Sequence, residues 1–123
     1  MIPCIHFFLS TTLCKYLKEG INMFDKNTER YMTRAIAEEL HPEIAVLLWR
    51  LIEARKAQKV ELDYLQIFEL SISNGKQAII HRQETPERQG FWILPLKETE
   101  PITKTIWCID NSESQIMLFP EDY

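Results

Sequence analysis

The sequence predicts an α+β domain in which one long amphipathic helix packs on a curved, mostly antiparallel sheet of about five strands. Three observations predict it: a hairpin signal at Asn74-Gly75, a helix-period apolar pattern that begins at Pro42, and two strand-like runs near the C terminus. The predicted order is strand, helix and then four further strands. With 123 residues, the chain is long enough for one core and too short for two.

A first strand is predicted at residues 30–36, where side chains alternate between two faces. The helix is predicted to begin at Pro42, because a missing N–H is harmless at the first helical position, and Glu43 complements the positive end of the helix dipole. It should continue to Gln58 and to place its apolar residues on one broad face. Those residues are Ile44, Ala45, Leu47, Leu48, Leu51 and Ile52. Val46 falls among the polar positions, so we expect a small exposed apolar spot there.

The dipeptide Asn74-Gly75 favours a two-residue turn between antiparallel strands, because both residues tolerate positive φ angles. A turn there pairs Ser73 with Lys76 and, further out, Phe68 with His81. One face of the predicted hairpin is apolar and the other is polar, as in a half-buried sheet. The apolar face carries Phe68, Leu70, Ile72 and Ile79, and the polar face carries Glu69, Ser71 and Arg82.

The remaining third of the chain is predicted to add a loop and three strands. Residues 85–90 have the composition of a loop, and residues 91–96 form an apolar run that contains Pro95. Because proline cannot donate a hydrogen bond in a sheet ladder, this run is predicted to be an edge strand or an irregular crossing. Residues 103–109 and 115–119 are predicted to form a second hairpin across a turn-rich segment.

The C-terminal third is also the acidic part of the chain. The formal net charge is −4, and residues 84–123 hold eight acidic side chains against three basic ones. Proteins that hold nucleic acid directly usually cluster Lys and Arg, so this distribution disfavours DNA or RNA binding. It is typical of a solubilising surface, or of one that complements a basic protein surface. The candidate partner-binding residues are Glu84, Glu87, Glu98, Glu100, Glu113, Glu121 and Asp122.

Residues 1–22 are predicted to be a translated leader or an N-terminal extension, with the α+β domain at residues 23–123. The tripeptide Lys18-Glu19-Gly20 can be encoded by a bacterial ribosome-binding sequence shortly ahead of Met23, which would then be the natural start. The alternative is a short N-terminal helix through residues 7–17 that packs on the domain. The extension lacks the basic start of a secretory signal and is too short and polar to span a membrane.

The three cysteines are odd in number and have no short repeated spacing, which predicts free thiols and a cytoplasmic location. Cys108 lies in a predicted strand, where it is most simply a small buried apolar residue. Only Cys4 and His6 are close enough in sequence to suggest paired metal ligands. No metal site is therefore predicted.

No catalytic residue and no cofactor are predicted. The three glycines of the chain form no phosphate-binding loop. His81 would need a carboxylate or a nucleophile beside it, and the predicted register places Glu69 on the opposite face. The C-terminal aromatic residues lack interleaved basic side chains, so they are assigned to the core and its rim rather than to base stacking.

Four segments of the sequence, MFDKNTERYMTRAI, LHPEIAVLLWRLIEARK, ELDYLQIFELSI and NGKQAIIHRQE, resemble the Gram-positive (Firmicutes) domain-of-unknown-function family nine-sixty. The resemblance begins at Met23, covers most of the chain and is weakest after Gly90. It supplies no activity and no catalytic residues. It implies a chromosomal, plasmid or phage setting in which similar small proteins act as anti-CRISPR inhibitors of Cas9.

The sequence as a whole predicts a non-enzymatic protein-binding module. Its most specific form is an anti-CRISPR-type inhibitor that binds a Cas9-like effector through an acidic surface, because such effectors hold nucleic acid in basic channels. The alternatives are a host or mobile-element regulatory adaptor with an unknown partner or, less favoured, a nucleic-acid-binding protein. The last would require Arg30, Arg34, Lys76 and Arg82 to share one face. No membrane partner is predicted, and the oligomeric state is left open.

Overall fold

The computed structural model describes residues 23–25 and 27–123, and it contains one mixed sheet with two helices. The six strands lie in the order β1-β6-β5-β2-β3-β4. β1 runs parallel to β6, and every other neighbouring pair is antiparallel. The elements are β1 (Glu29–Met32), α1 (Arg34–Glu39), α2 (Pro42–Ala57), β2 (Leu65–Ser73), β3 (Lys76–Glu84), β4 (Glu87–Leu94), β5 (Lys104–Asp110), β6 (Ser114–Leu118) and a 3-10 turn (Pro120–Asp122).

The α+β class is confirmed, and the predicted strand number and order are corrected. The sheet has six strands rather than five, and two helices rather than one separate β1 from β2. The predicted strand at residues 30–36 is wrong beyond Met32. Thr33 caps a helix there, because its hydroxyl accepts a hydrogen bond from the Ile36 N–H at 3.3 Å. The following residues include two alanines and two glutamates, which favour a helix over a strand.

The long helix α2 is confirmed. It begins at Pro42 and ends at Ala57, and the His41 ring accepts a hydrogen bond from the Glu43 N–H at 3.0 Å. Val46 is 47% exposed, as its position among the polar residues predicts. The buried side of α2 covers one side of the sheet, which we call the helix side. The residues that α2 buries are Ile44, Ala45, Leu48, Trp49, Leu51, Ile52 and Arg55.

The hairpin of β2 and β3 has the predicted register, with Phe68 opposite His81. Asn74 and Gly75 have φ angles of 51° and 75°, as a type I′ turn requires. One assignment is wrong: Ile72 is 54% exposed. β5 pairs with β2 only as far as Leu70, so Ile72 lies on the part of the hairpin that extends past its neighbour.

The loop predicted at residues 85–90 is replaced by a tight turn. β4 begins at Glu87, directly opposite Glu84 of β3, and only Thr85 and Pro86 connect the two strands. Of the two alternatives predicted for the apolar run, the edge strand is confirmed as far as Leu94, because β4 is last in the sheet order. The predicted hairpin near the C terminus is also confirmed as β5 and β6.

The core lies mainly on the helix side of the sheet, where α2 packs against residues of β2, β3, β5 and β6. Phe24 is fully buried there, and its backbone N–H donates to the buried Asp110 carboxylate at 2.6 Å. On the opposite side, which we call the far side, Ile109, Ile116 and Leu118 form a second buried cluster. The proposals for residues 1–22 fall outside the described residues. Within the described ranges, no helix is long and apolar enough to cross a membrane.

Candidate functional site

The outer edge of β4 presents three consecutive exposed apolar side chains. Phe91 is 62% exposed, Trp92 38% and Ile93 44%. Phe91 and Ile93 lie on the far side, because they pair with Ile80 and Ala78, while Trp92 lies on the helix side. No other strand of the described sheet pairs with the outer side of β4. We call this strand side, with its three exposed residues, the β4 edge.

A groove of about 420 Å³ lies beside the β4 edge, between the first half of α2 and the chain that follows β4. The Glu43 carboxylate holds this chain in place, because it accepts hydrogen bonds from the backbone N–H groups of Lys97 at 2.7 Å and Glu98 at 2.8 Å. These two bonds lower the pKa of Glu43. Most of the groove is apolar, with Val46, Leu47, Leu94, Pro95 and Leu96 in its wall.

The seven candidate acidic residues are all exposed, but they do not form one surface. Glu84 and Glu87 lie at the start of β4, and Glu98 and Glu100 follow its end, so these four flank the β4 edge. The other three lie away from β4, next to β5 and β6. Glu113 is in the turn between β5 and β6, and Glu121 and Asp122 follow β6. The predicted acidic surface is therefore divided, and Asp122 is bound within the fold by the Thr33 hydroxyl at 2.8 Å.

A buried polar network lies between the C-terminal part of α2 and the β2–β3 pair. Arg55, which is only 6% exposed, donates to the backbone oxygen of His81 at 2.7 Å. The side chain of Gln66 joins the ring of His81 at 2.7 Å to the amide of Gln83 at 2.9 Å. Gln83 in turn donates to the backbone oxygens of Glu61 and Pro86. The imidazole and the two glutamine amides are thus matched to neighbours within the fold rather than directed at a reacting centre.

His81 does not have the surroundings of a catalytic base. Its ring stacks on Phe68 with centroids 4.3 Å apart, and its hydrogen-bond partner is an amide rather than a carboxylate. Burial, with a smaller contribution from the Arg55 charge, lowers the pKa of His81 from 6.5 to about 3. A base useful near neutral pH needs a pKa close to that pH. The predicted pairing of His81 with Phe68 is confirmed, and the His81 side chain is buried on the helix side.

The basic residues named for nucleic-acid binding do not share one surface. Arg30 lies on the helix side, with its guanidinium 4.5 Å above the Trp49 ring. Arg82 is on the far side, since it pairs with Ile67 of β2, and Lys76 lies at the tip of the β2–β3 hairpin. The condition set for direct nucleic-acid binding is therefore not met by these residues.

Cys108 is fully buried, as predicted, and burial raises the pKa of its thiol. Across residues 23–25 and 27–123, no group of three or more His, Cys, Asp or Glu residues is placed to hold a metal ion. Cys4, His6 and Cys14 lie outside the described residues.

The family model described as "Staphylococcal protein of unknown function (DUF960)" matches residues 29–122. The chain belongs to this family. A crystal structure of a protein of unknown function from Enterococcus faecalis is similar to this DUF960 chain, with a TM-score of 0.75 and 21% sequence identity. The match covers 84% of this chain and 97% of that one, and at this identity it supports the fold alone. No curated protein matches the sequence.

Two features of this DUF960 chain were missed in the sequence. Arg55 lies among polar residues at the end of α2, and no periodicity distinguishes a buried arginine from an exposed one. Gly90 was assigned to a loop, although an isolated glycine within a strand pattern often marks a close backbone approach. In the structure, a Cβ on Gly90 would lie 3.4 Å from an Arg55 guanidinium nitrogen.

Proposed function

We propose that this protein is a non-enzymatic protein-binding module that takes up an extended segment of another protein along the β4 edge. The observation that carries the proposal is the eight-residue edge strand with Phe91, Trp92 and Ile93 exposed in succession. The family and the similar crystal structure leave the activity open.

Backbone hydrogen bonding supports the choice of an extended partner. An edge strand presents a row of N–H and C=O groups whose natural partner is another strand. Proteins usually protect such an edge by making it short, charged or bulged. β4 pairs with β3 without interruption from Glu87 to Leu94, so its outer side is long and regular.

The exposed side chains determine what the added strand should carry. Phe91 and Ile93 offer apolar contact on the far side of the sheet, and Trp92 offers it on the helix side. A partner strand with apolar residues at its centre would bury these side chains. Burial of apolar area contributes about 25 cal/mol per Å² before the costs of association are subtracted.

Charge determines what should lie at the two ends of the partner. Glu84 and Glu87 lie at one end of the β4 edge, and Glu98 and Glu100 lie beyond the other. A partner with Lys or Arg at both ends complements this arrangement. A second copy of the chain does not, because antiparallel pairing of two β4 strands would bring the glutamates at opposite ends close together.

A basic Cas9-like effector is the specific partner that the resemblance implies, and the glutamates that flank β4 support it. In this form of the proposal, the four glutamates contact basic groups that otherwise hold nucleic acid. Binding of a purified type II effector at low and at high salt tests it. Binding that weakens with salt and requires the β4 edge supports it, and no binding at either salt concentration would overturn this form alone.

The proposal as a whole is tested with two synthetic nonapeptides, KKVTVTVKK and its charge-reversed counterpart EEVTVTVEE. Both have the same strand-forming centre, so they differ only in charge. Fluorescence anisotropy of labelled peptides should show saturable binding of the lysine peptide and at least tenfold weaker binding of the glutamate peptide. Failure of the lysine peptide to bind at any salt concentration would contradict the proposal.

Ile93→Lys and Ile72→Lys form a matched pair of variants. Both replace an exposed isoleucine, 44% exposed at position 93 and 54% at position 72, but only Ile93 lies on the β4 edge. Ile93→Lys should abolish binding of the lysine peptide, because it puts a charge at the apolar centre of the edge. Ile72→Lys should leave binding unchanged. Equal losses in both variants would show that binding depends on charge or general hydrophobicity instead.

A further inference from the structure

A small cavity of about 150 Å³ lies on the helix side of β4 and shares one residue, Trp92, with the β4 edge. It opens between the C-terminal half of α2 and the first half of β4. Two arginines, Arg55 and Arg88, lie in its wall, and none of the acidic residues that the structure describes does. The other residues of the wall are Leu51, Ala54, Gln58, His81, Gln89, Gly90 and Trp92.

Arg55 is a buried cation that has no carboxylate partner among residues 23–25 and 27–123. It is 6% exposed, and its two hydrogen bonds are to neutral oxygens, those of His81 at 2.7 Å and Gln66 at 3.5 Å. A guanidinium has five N–H donors, and buried charges in proteins are normally paired. Burial first, and repulsion by Arg88 second, lower the pKa of Arg55 from 12.5 to about 10. Keeping the Arg55 guanidinium charged therefore costs the folded protein free energy.

The donors of this cavity converge above Gly90. A Cβ placed on Gly90 would lie 3.4 Å from an Arg55 guanidinium nitrogen and 3.5 Å from the indole nitrogen of Trp92. The absence of a side chain at this position keeps the space between the two donors open. The exposed Arg88 adds a second cation and forms no ion pair within 4.0 Å among the described residues.

We infer that this cavity is a binding site for an oxyanion, a phosphate or carboxylate group of a small molecule, held by Arg55, Arg88 and the indole N–H of Trp92. Guanidinium groups bind both kinds of oxyanion through charge-assisted hydrogen bonds. The site lies beside the proposed partner strand without requiring it. The two proposals can therefore fail independently.

The inference is tested by titrating the uniformly ¹⁵N-labelled protein with inorganic phosphate and, separately, with acetate, at constant ionic strength in chloride. Saturable shifts of the Trp92 indole N–H and the Arg55 side-chain N–H signals are expected. Saturation by phosphate alone identifies a phosphate group as the ligand, and saturation by acetate alone identifies a carboxylate. No saturable shift with either anion in the millimolar range would overturn the inference.

Two variants and a control make the test specific. Gly90→Ala fills the space between the donors, and Ala fits because the Gly90 backbone is not in the left-handed region. Arg88→Gln removes an exposed charge without disturbing the core. Each should weaken binding roughly tenfold or more, as expected for lost hydrogen bonds to a charged group. Arg50→Gln removes an exposed charge from α2, the helix that carries Arg55, at a position outside the cavity, and should leave affinity unchanged. Equal losses in all three would indicate only nonspecific attraction and would overturn the inference.

Discussion

The two edges of the sheet differ in how they are protected. At the first edge, β1 has only four residues, and Arg30 lies over Trp49 while it pairs with Glu53 at 2.8 Å and with Gln115 at 3.1 Å. At the other edge, β4 has eight residues and three exposed apolar side chains. The first edge has the shortness and charge that prevent strand addition, whereas the second is twice as long and carries no charged side chain from Gln89 to Leu94. β4 is unprotected in a sheet whose other edge is protected. This difference is the reason we propose β4 as the edge that binds a partner strand.

The largest expected difference between the edges is in stability. Trp49→Ala should lower the free energy of unfolding by about 3–5 kcal/mol, because it leaves a cavity in the core beneath Arg30. Phe91→Ala on the β4 edge should change it by less than about 0.5 kcal/mol, since that side chain is mostly exposed. Denaturant unfolding of both variants measures the difference. A loss of several kcal/mol in Phe91→Ala would mean that the β4 edge is part of the core.

A smaller effect concerns the buried polar network that lies next to β4. The pKa of His81 is about 3 in the folded protein and 6.5 as the ordinary value. Below pH 6.5, His81 of the unfolded chain therefore binds a proton that His81 of the folded protein does not bind. Burial of neutral His81 therefore costs no stability above pH 6.5. As the pH falls from 6.5 towards 3, the free energy of unfolding decreases by at most about 1.4 kcal/mol per pH unit.

His81→Gln provides the control for this pH dependence, because glutamine can still donate to Gln66 but does not titrate. The free energy of unfolding of the parent protein should decrease more steeply between about pH 6.5 and pH 5 than that of the variant. Urea unfolding at several pH values measures both slopes. Identical slopes would show that His81 is accessible to protonation in the folded state.

The smallest expected effect is at the protected edge. Glu53→Gln removes the ion pair with Arg30, in which the two side chains are 46% and 26% exposed. Exposed pairs contribute little, so the free energy of unfolding should change by less than about 1 kcal/mol. Urea unfolding at low and high salt measures it. A larger loss would mean that the ion pair, rather than the packing around Trp49, stabilises this edge.

The sequence predicted the local features of the fold and missed those that depend on the sheet order. The Asn74-Gly75 turn and α2 were found because turn chemistry and helical periodicity act over a few residues. β1 was predicted to be too long because the side chains from Thr33 to Ile36 continue the alternation of a strand, although Thr33 caps a helix. The parallel pairing of β1 with β6 joins segments more than eighty residues apart, which no local pattern records.

The candidate site was predicted only in part, for the same reason. The acidic residues were identified correctly as exposed, but their division between two regions follows from the strand order. Pro95 indicated that the apolar run at residues 91–96 was an edge strand or an irregular crossing, but it gave no indication that the side chains of this run would be exposed. Arg55 and Gly90 gain their importance from each other, and they are 35 positions apart in the sequence.

Amide hydrogen exchange, measured by NMR with and without the lysine nonapeptide, tests the role of the β4 edge most directly. Protection should appear at the outward-facing amides of β4 on binding, with the amides of β1 unchanged, because the added strand forms hydrogen bonds only with β4. Protection at β1, or a bound peptide that leaves the β4 amides as exchangeable as before, would contradict the proposed role of this edge.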